Sequence, residues 1–308
     1  MSLKSLVRLG LAILLIWGCR AGPDPYGQQV TRATTFSIQG QQWFSQGDLQ
    51  RAARDFGKAL EISRSIDYPS GVAQQLNNLG AVALEQGDLE TAHDLFNQAL
   101  SLNQEIPDWA AAGTNLANLA TVAHKSGHPD QAWEYLQAAQ QAAAHSGSAA
   151  AQARILCQLA SWHLDQQDLE AAARLLTQAR SLATTPALQG TWNHHWGRLR
   201  LAQGETSAAL THFNTALAAD REILDRAAMA ADLFGLAETY QAQGDLDQAF
   251  YYYSRAFDVY ATLGKKSRIA ECRQRLHQVN EAGRLGHSLK RFEFQSDLTP
   301  GQESQPSS

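Results

Sequence analysis

The residues best equipped for chemistry in this chain are crowded into its middle. Trp162, His163, Trp192, His194, His195 and Trp196 bring indoles and imidazoles close together, and His124 and His128 stand four apart. Imidazoles can hold a metal or move protons. A helix-borne metal site of that kind asks for a His-Glu-x-x-His string, which the chain lacks, and no Gly-rich phosphate loop or nucleophile set stands beside these residues. The turn expected at Gly127 also separates His124 from His128. Catalytic residues, a metal and a cofactor are therefore not expected, and the aromatic group reads as core or as binding hot spots. A second set consists of amides and cations: Asn77, Asn78, Asn115, Asn118 and Gln158, with Arg154 and Arg198. A carboxamide carries both donors and an acceptor, so it can bond both sides of a peptide group.

Whether these residues meet depends on the elements that carry them. Ala, Leu, Gln, Glu and Arg recur, β-branched residues are few, and the chain has 8 prolines, a mixture that favours helices. A hydrophobic share of 44% allows a packed core. The formal net charge of −5, without a basic cluster, argues against nucleic acid as a partner, since phosphate contacts need concentrated Lys and Arg.

One pattern returns six times, beginning at Gln46, Gln86, Ser126, Gln166, Gln203 and Gln243, with offsets of 40, 40, 40, 37 and 40 residues. Gly47, Gly87, Gly127, Gln167, Gly204 and Gly244 mark the end of one helix, and an acidic residue follows in most units to cap the next. Then come Ala52, Ala92, Ala132, Ala172, Ala209 and Ala249; Phe56, Phe96, Leu136, Leu176, Phe213 and Tyr253; and Ala59, Ala99, Ala139, Ala179, Ala216 and Ala256. Small, large, small at spacings of four and three is one face of a helix. Ahead of the turn lies a further small column, Gly40, Gly80, Ala120, Ala160, Gly197 and Ala237, which a large apolar residue precedes in five units. Each unit thus predicts two helices joined by a short turn.

Together these slots resemble the tetratricopeptide repeat family over about residues 31–264. The family's usual proline at the hairpin end is missing from most units, and the period exceeds the usual length of about 34 residues. That resembles the longer-helix branch found in kinesin light chains and polarity adaptors. The resemblance implies an all-α, right-handed superhelical solenoid of six hairpins, at about 31–68, 69–108, 109–148, 149–185, 186–225 and 226–264. The first helix of each hairpin would line a concave groove. Asn78, Asn118, Gln158 and His195 would occupy the slot where long-period relatives carry Asn to hold the backbone of an extended peptide, while Ile38 and Gly235 depart from it at the two ends. Asn77, Asn115, Arg154, His194 and Arg198 are expected on the same face, with Glu85, His124, Lys125, Asp165 and Glu238, so the charges there are of mixed sign. The alternative for Asn78 and Asn118 is that they satisfy neighbouring helix ends.

The termini bear on location. Lys4 and Arg8, an apolar run over Leu9 to Trp17, and Gly18 before Cys19 form the parts of an export signal. Ile16-Trp17-Gly18-Cys19 resembles the bacterial lipobox, with Trp17 where a small residue is usual, and implies cleavage before Cys19 and its acylation. The alternatives are an ordinary signal peptide or an uncleaved anchor. Loss of residues 1–18 takes two positive charges and moves the net charge from −5 to −7. Arg20 after the cysteine resembles lipoproteins sent to the outer membrane of Gram-negative hosts. Residues 19–30 are expected to be a tether, 265–285 a capping helix, and 286–308 a disordered tail in which Arg291 to Phe294 could dock. Cys157 and Cys272 lie more than two repeats apart and read as core residues. The expected function is a lipid-anchored module on the periplasmic side of the envelope that binds a protein or peptide in its groove. The alternative is a spacer or self-associating scaffold that works through its convex face.

Overall fold

A computed structural model describes residues 24–293, and every regular element among them is a helix. The expected signal, Cys19 and residues 294–308 lie outside the described residues. Six hairpins follow one another: α1 (Pro25–Ser45) with α2 (Leu49–Ser65), α3 (Pro69–Gln86) with α4 (Leu89–Glu105), and α5 (Trp109–Lys125) with α6 (Pro129–His145). Then come α7 (Ala149–Asp165) with α8 (Leu169–Ala179), α9 (Pro186–Ala202) with α10 (Thr206–Glu222), and α11 (Arg226–Gln243) with α12 (Leu246–Thr262). A thirteenth helix, α13 (Lys266–Gly283), covers the last hairpin, and a short α14 (Lys290–Glu293) ends the described chain. No helix among the described residues is long and apolar enough to cross a membrane.

In four of the six units the Asp after the turn starts the second helix by bonding a free backbone donor, while His128 and Glu205 make no such bond. Asp48 accepts from Arg51 N at 2.9 Å, Asp88 from Thr91 N at 3.1 Å, Asp168 from Ala171 N at 3.0 Å and Asp245 from Gln248 N at 3.1 Å. The turn before it needs a left-handed residue. Gly87 and Gly244 take φ of 83° and 80°, and Gln167 is held at 60° in the unit that lacks the glycine.

The small columns are set by the ring they face. A Cβ on Gly40 would fall 2.6 Å from the Phe56 ring, one on Gly80 2.7 Å from Phe96, and one on Gly197 2.8 Å from Phe213. Where the large residue is Leu136 or Leu176, the opposing position is Ala120 or Ala160, so volume is shared out in five units; the sixth carries Ala237 with Tyr253. The alanines of the second helices, Ala52, Ala92, Ala132, Ala172, Ala209 and Ala249, are all 0% exposed, which lets the two helices of a hairpin approach closely.

Two boundaries differ from the sequence reading, those of the tether and of the tail. The expected tether is helical from Pro25, because proline suits a first helical turn, where its missing N–H costs nothing. In the fourth unit α8 stops at Ala179, which accounts for the offset of 37. Residues 290–293 of the expected tail fold against the cap: Phe292 is 1% exposed, packs edge-on against Phe257 at 5.0 Å, and its carbonyl accepts from Arg273 Nε at 2.9 Å. There the apolar ring outweighs the polar composition around it. Beneath it α13 buries Ile269, Cys272, Leu276 and Val279.

The solenoid curves until its ends meet. Lys265, beyond the last hairpin, forms an ion pair with Glu85 of α3. Beside it a Cβ on Gly47 would lie 2.7 Å from Leu263 Cα, so the first turn rests on the last.

Candidate functional site

Odd-numbered helices touch one another from hairpin to hairpin more than even-numbered ones do, and so form the inside of the curve. Two adjoining clefts open along this inner layer. One, of about 550 Å³, runs between α7 and α9 past Arg154, Gln158, Leu188, Thr191 and His195. The other, of about 260 Å³, reaches from α5 to α9 past His124, Gln158, Ser161, Trp162 and His195. Gln158 and His195 belong to both. At that shared point Gln158 Oε1 and His195 Nδ1 are buried without a hydrogen-bond partner. A buried polar atom left unpaired costs about 1–3 kcal/mol, which a ligand that bonds it would offset.

The remaining predicted groove residues divide. Asn118 Nδ2 donates to Asn77 Oδ1 at 2.9 Å, joining α5 to α3 across the groove floor. Asn78 turns into its own helix, donating to Gln75 Oε1 at 3.1 Å, and is 8% exposed. Asn115 is buried, with Nδ2 unpaired, beneath a separate cleft. Arg198 donates to Ser161 Oγ at 2.8 Å and Asp165 at 2.6 Å, tying α9 to α7. Arg154 stands exposed on the wall of the larger cleft. His194 bonds between repeats: its Nδ1 lies 2.8 Å from Asp232 of α11, and its ring packs on Phe213.

Electrostatics separates the two histidines from ordinary surface imidazoles. Burial, with repulsion from His194 and Arg198, holds His195 well below its usual pKa, so it enters the groove as a neutral ring with one donor and one acceptor. Burial beside Arg198 likewise lowers His194 to about 4. Burial raises the carboxyls of both Asp220 and Asp232 to about 8, and Asp232 repels Asp220 further. Trp192 Nε1 donates to Leu176 O at 2.7 Å and Trp162 packs between Trp133 and His124, whereas Trp196 stacks on His212 with its Nε1 buried and unpaired. Among the described residues no group of three or more His, Cys, Asp or Glu could hold a metal ion.

Sequence reasoning passed over Asn103, which lines a cleft with Asn115, and the buried pair Asp220 and Asp232. Both pairs occupy one position at the end of an even-numbered helix and one in the next odd-numbered helix. The interface between the third and fourth units carries Ala143 and Ile155 there, both buried. The interface between the first and second units carries Ser63 and Gln75 in the same columns, both buried, so a polar pair recurs where the third and fourth units have an apolar one.

The sequence profile of the tetratricopeptide repeat matches residues 32–105, 71–144 and 188–262. No curated protein matches the chain. Among solved structures, BtubC (BKLC) from P. vanneervenii is similar with a TM-score of 0.52 at 19% identity, over 83% of this chain and 96% of its own. RapI in its apo form gives a TM-score of 0.57 at 16% identity, over 77% of this chain and 66% of its own. A Rap protein solved in complex with competence and sporulation factor gives 0.56 at 14% identity, over 88% and 95%. At such identities the likeness is one of fold.

Proposed function

Because the chain belongs to the tetratricopeptide repeat family, we propose that it is a protein-interaction module whose inner groove holds an extended segment of a partner protein. The observation that carries this reading is the unpaired pair, Gln158 Oε1 and His195 Nδ1, where the two clefts join. A peptide group brings one donor and one acceptor to that point, and side chains on either side of it have a cleft to enter. That a relative of this fold is known in complex with competence and sporulation factor supports the scaffold's capacity to hold a partner. Binding of a displayed library of random peptides to the full chain tests the reading. The Gln158→Ala/His195→Ala variant should lose at least about tenfold in affinity for the selected peptides, with its unfolding temperature unchanged. Equal affinity in both chains would sink the groove.

Location forms part of the proposal. Acylation at Cys19 after removal of residues 1–18 would hold the module on the periplasmic face of the outer membrane, a reading supported by the charged, apolar and small-residue segments of that terminus. Metabolic labelling with an alkynyl fatty acid should mark the wild type and leave Cys19→Ser unmarked. A spacer acting through its outer helices is the second reading, and Tyr251 favours it: this ring on α12 is 51% exposed, against Tyr252 and Arg255. Self-association lost in Tyr251→Ala, with peptide binding absent, would select that reading.

A further inference from the structure

Between α3 and α5 lies a third cleft, of about 310 Å³, whose lining differs in kind from the other two. It is built from neutral hydrogen-bonding groups, among them Tyr68, Gln74, Asn77, Asn103, Thr114 and Asn115. The one charged residue of that lining, Asp108, already accepts from Ala111 N at 3.0 Å as the cap of α5. Asn115 is 1% exposed, and its Nδ2 has no hydrogen-bond partner. Asn103, 3% exposed, closes the cleft from the end of α4. One repeat further on, the same two columns hold Ala143 and Ile155, which pack without any polar atom. One repeat earlier they hold Ser63 and Gln75, also buried, but Ser63 Oγ donates to Ala59 O and Gln75 Oε1 accepts from Asn78 Nδ2. What sets this place apart is a buried donor without an acceptor, which weakens the fold.

We propose that this cleft is a specificity pocket for an uncharged carboxamide, the side chain of Asn or Gln in the segment that the groove holds. The inference rests on the groove reading. A carboxamide brings a carbonyl to accept from Asn115 Nδ2 and an N–H to donate to the amide oxygen of Asn103. A carboxylate would offer no donor and would sit near Asp108. An ammonium would offer no acceptor. An aliphatic side chain would leave Asn115 unpaired, and sites built to hydrogen-bond a ligand reject analogues without the matching group strongly.

The peptides selected on the full chain should share an Asn or Gln at one position. Changing that residue to Glu or Leu in a synthetic peptide should weaken binding by about tenfold or more. The double variant Asn103→Ala/Asn115→Ile copies the pair of the next repeat. It should unfold at the wild-type temperature or above it, and it should lose the Asn/Gln preference. Peptides that depend on Gln158 but show no such preference would overturn this inference and leave the groove standing. If no peptide binds at all, the groove reading fails, and the cleft is decided by titrating acetamide against the side-chain amide signals of Asn115 by nuclear magnetic resonance. A saturable shift, absent from the double variant, supports a carboxamide site. No saturable shift means a cleft filled by water alone, and overturns it.

Discussion

Single residues decide how this solenoid responds to pH. Asp220 and Asp232 are 3% and 0% exposed, and His194 meets Asp232 at 2.8 Å, so two carboxyls and an imidazole share one buried space. Asp225, Glu238, Arg198 and Arg268 are the other charged groups that act on them. Both carboxyls have folded values raised to about 8, above the ordinary carboxylate range. Their contribution is therefore fully present below that range and is lost as the pH rises towards about 8. His194 runs the other way: its folded value, about 4, lies below its ordinary 6.5, so its contribution is lost as the pH falls between them. Above pH 6.5 the imidazole no longer changes, and the carboxyls alone remain. Stability should thus decline from pH 6.5 to about 8. Asp220→Asn, which removes one of the two carboxyls that burial raises, should flatten that decline. Urea unfolding across the interval measures it, and a variant with the wild-type slope would contradict the account.

At the scale of the element, five of the six hairpins match volumes, Gly with Phe or Ala with Leu, while the sixth carries Ala237 with Tyr253. Gly80 allows the Phe96 ring against the backbone of α3, whereas Ala120 faces the smaller Leu136. Gly80→Ala should therefore cost about 1–3 kcal/mol by overpacking. Adding Phe96→Leu should recover much of that loss, since it rebuilds the pair of the third unit. Thermal unfolding of the two single variants and the double measures the coupling, and additive losses would show that the pair is not the unit. This local matching explains what was legible in the sequence. Gly, Asp, Ala and the large ring lie within one hairpin, so their spacing exposes helix faces, turns and the period directly. The groove residues were legible only as a face. Which of them bond each other depends on contacts between repeats: Asn118 reaches Asn77, while Asn78, one residue further along α3, turns to Gln75. Composition likewise misjudged residues 290–293, because one buried ring, Phe292, holds a polar stretch in place.

For the molecule as a whole, the decisive contact joins its ends. In an open solenoid each repeat touches its neighbours alone, yet Lys265 pairs with Glu85 across 180 residues, and Gly47 rests on Leu263. No sequence periodicity announces such a contact, since it depends on curvature accumulated over six hairpins. Its energy is small: a pair near the surface contributes about 0–1 kcal/mol and weakens in salt. Its leverage on shape is large, because it fixes the second hairpin relative to the last and thereby the span of the inner layer between them. Glu85→Lys places two ammonium groups against each other, so small-angle scattering should report a larger radius of gyration with little change in unfolding temperature. Adding Lys265→Glu restores opposite charges and should restore the compact form. An unchanged radius in Glu85→Lys would assign closure to the Gly47 and Leu263 contact, for which Gly47→Leu is then the opening variant. If the groove must widen to admit a segment, Glu85→Lys should also speed peptide association while leaving the bonds at Gln158 and His195, and hence the dissociation rate, little altered.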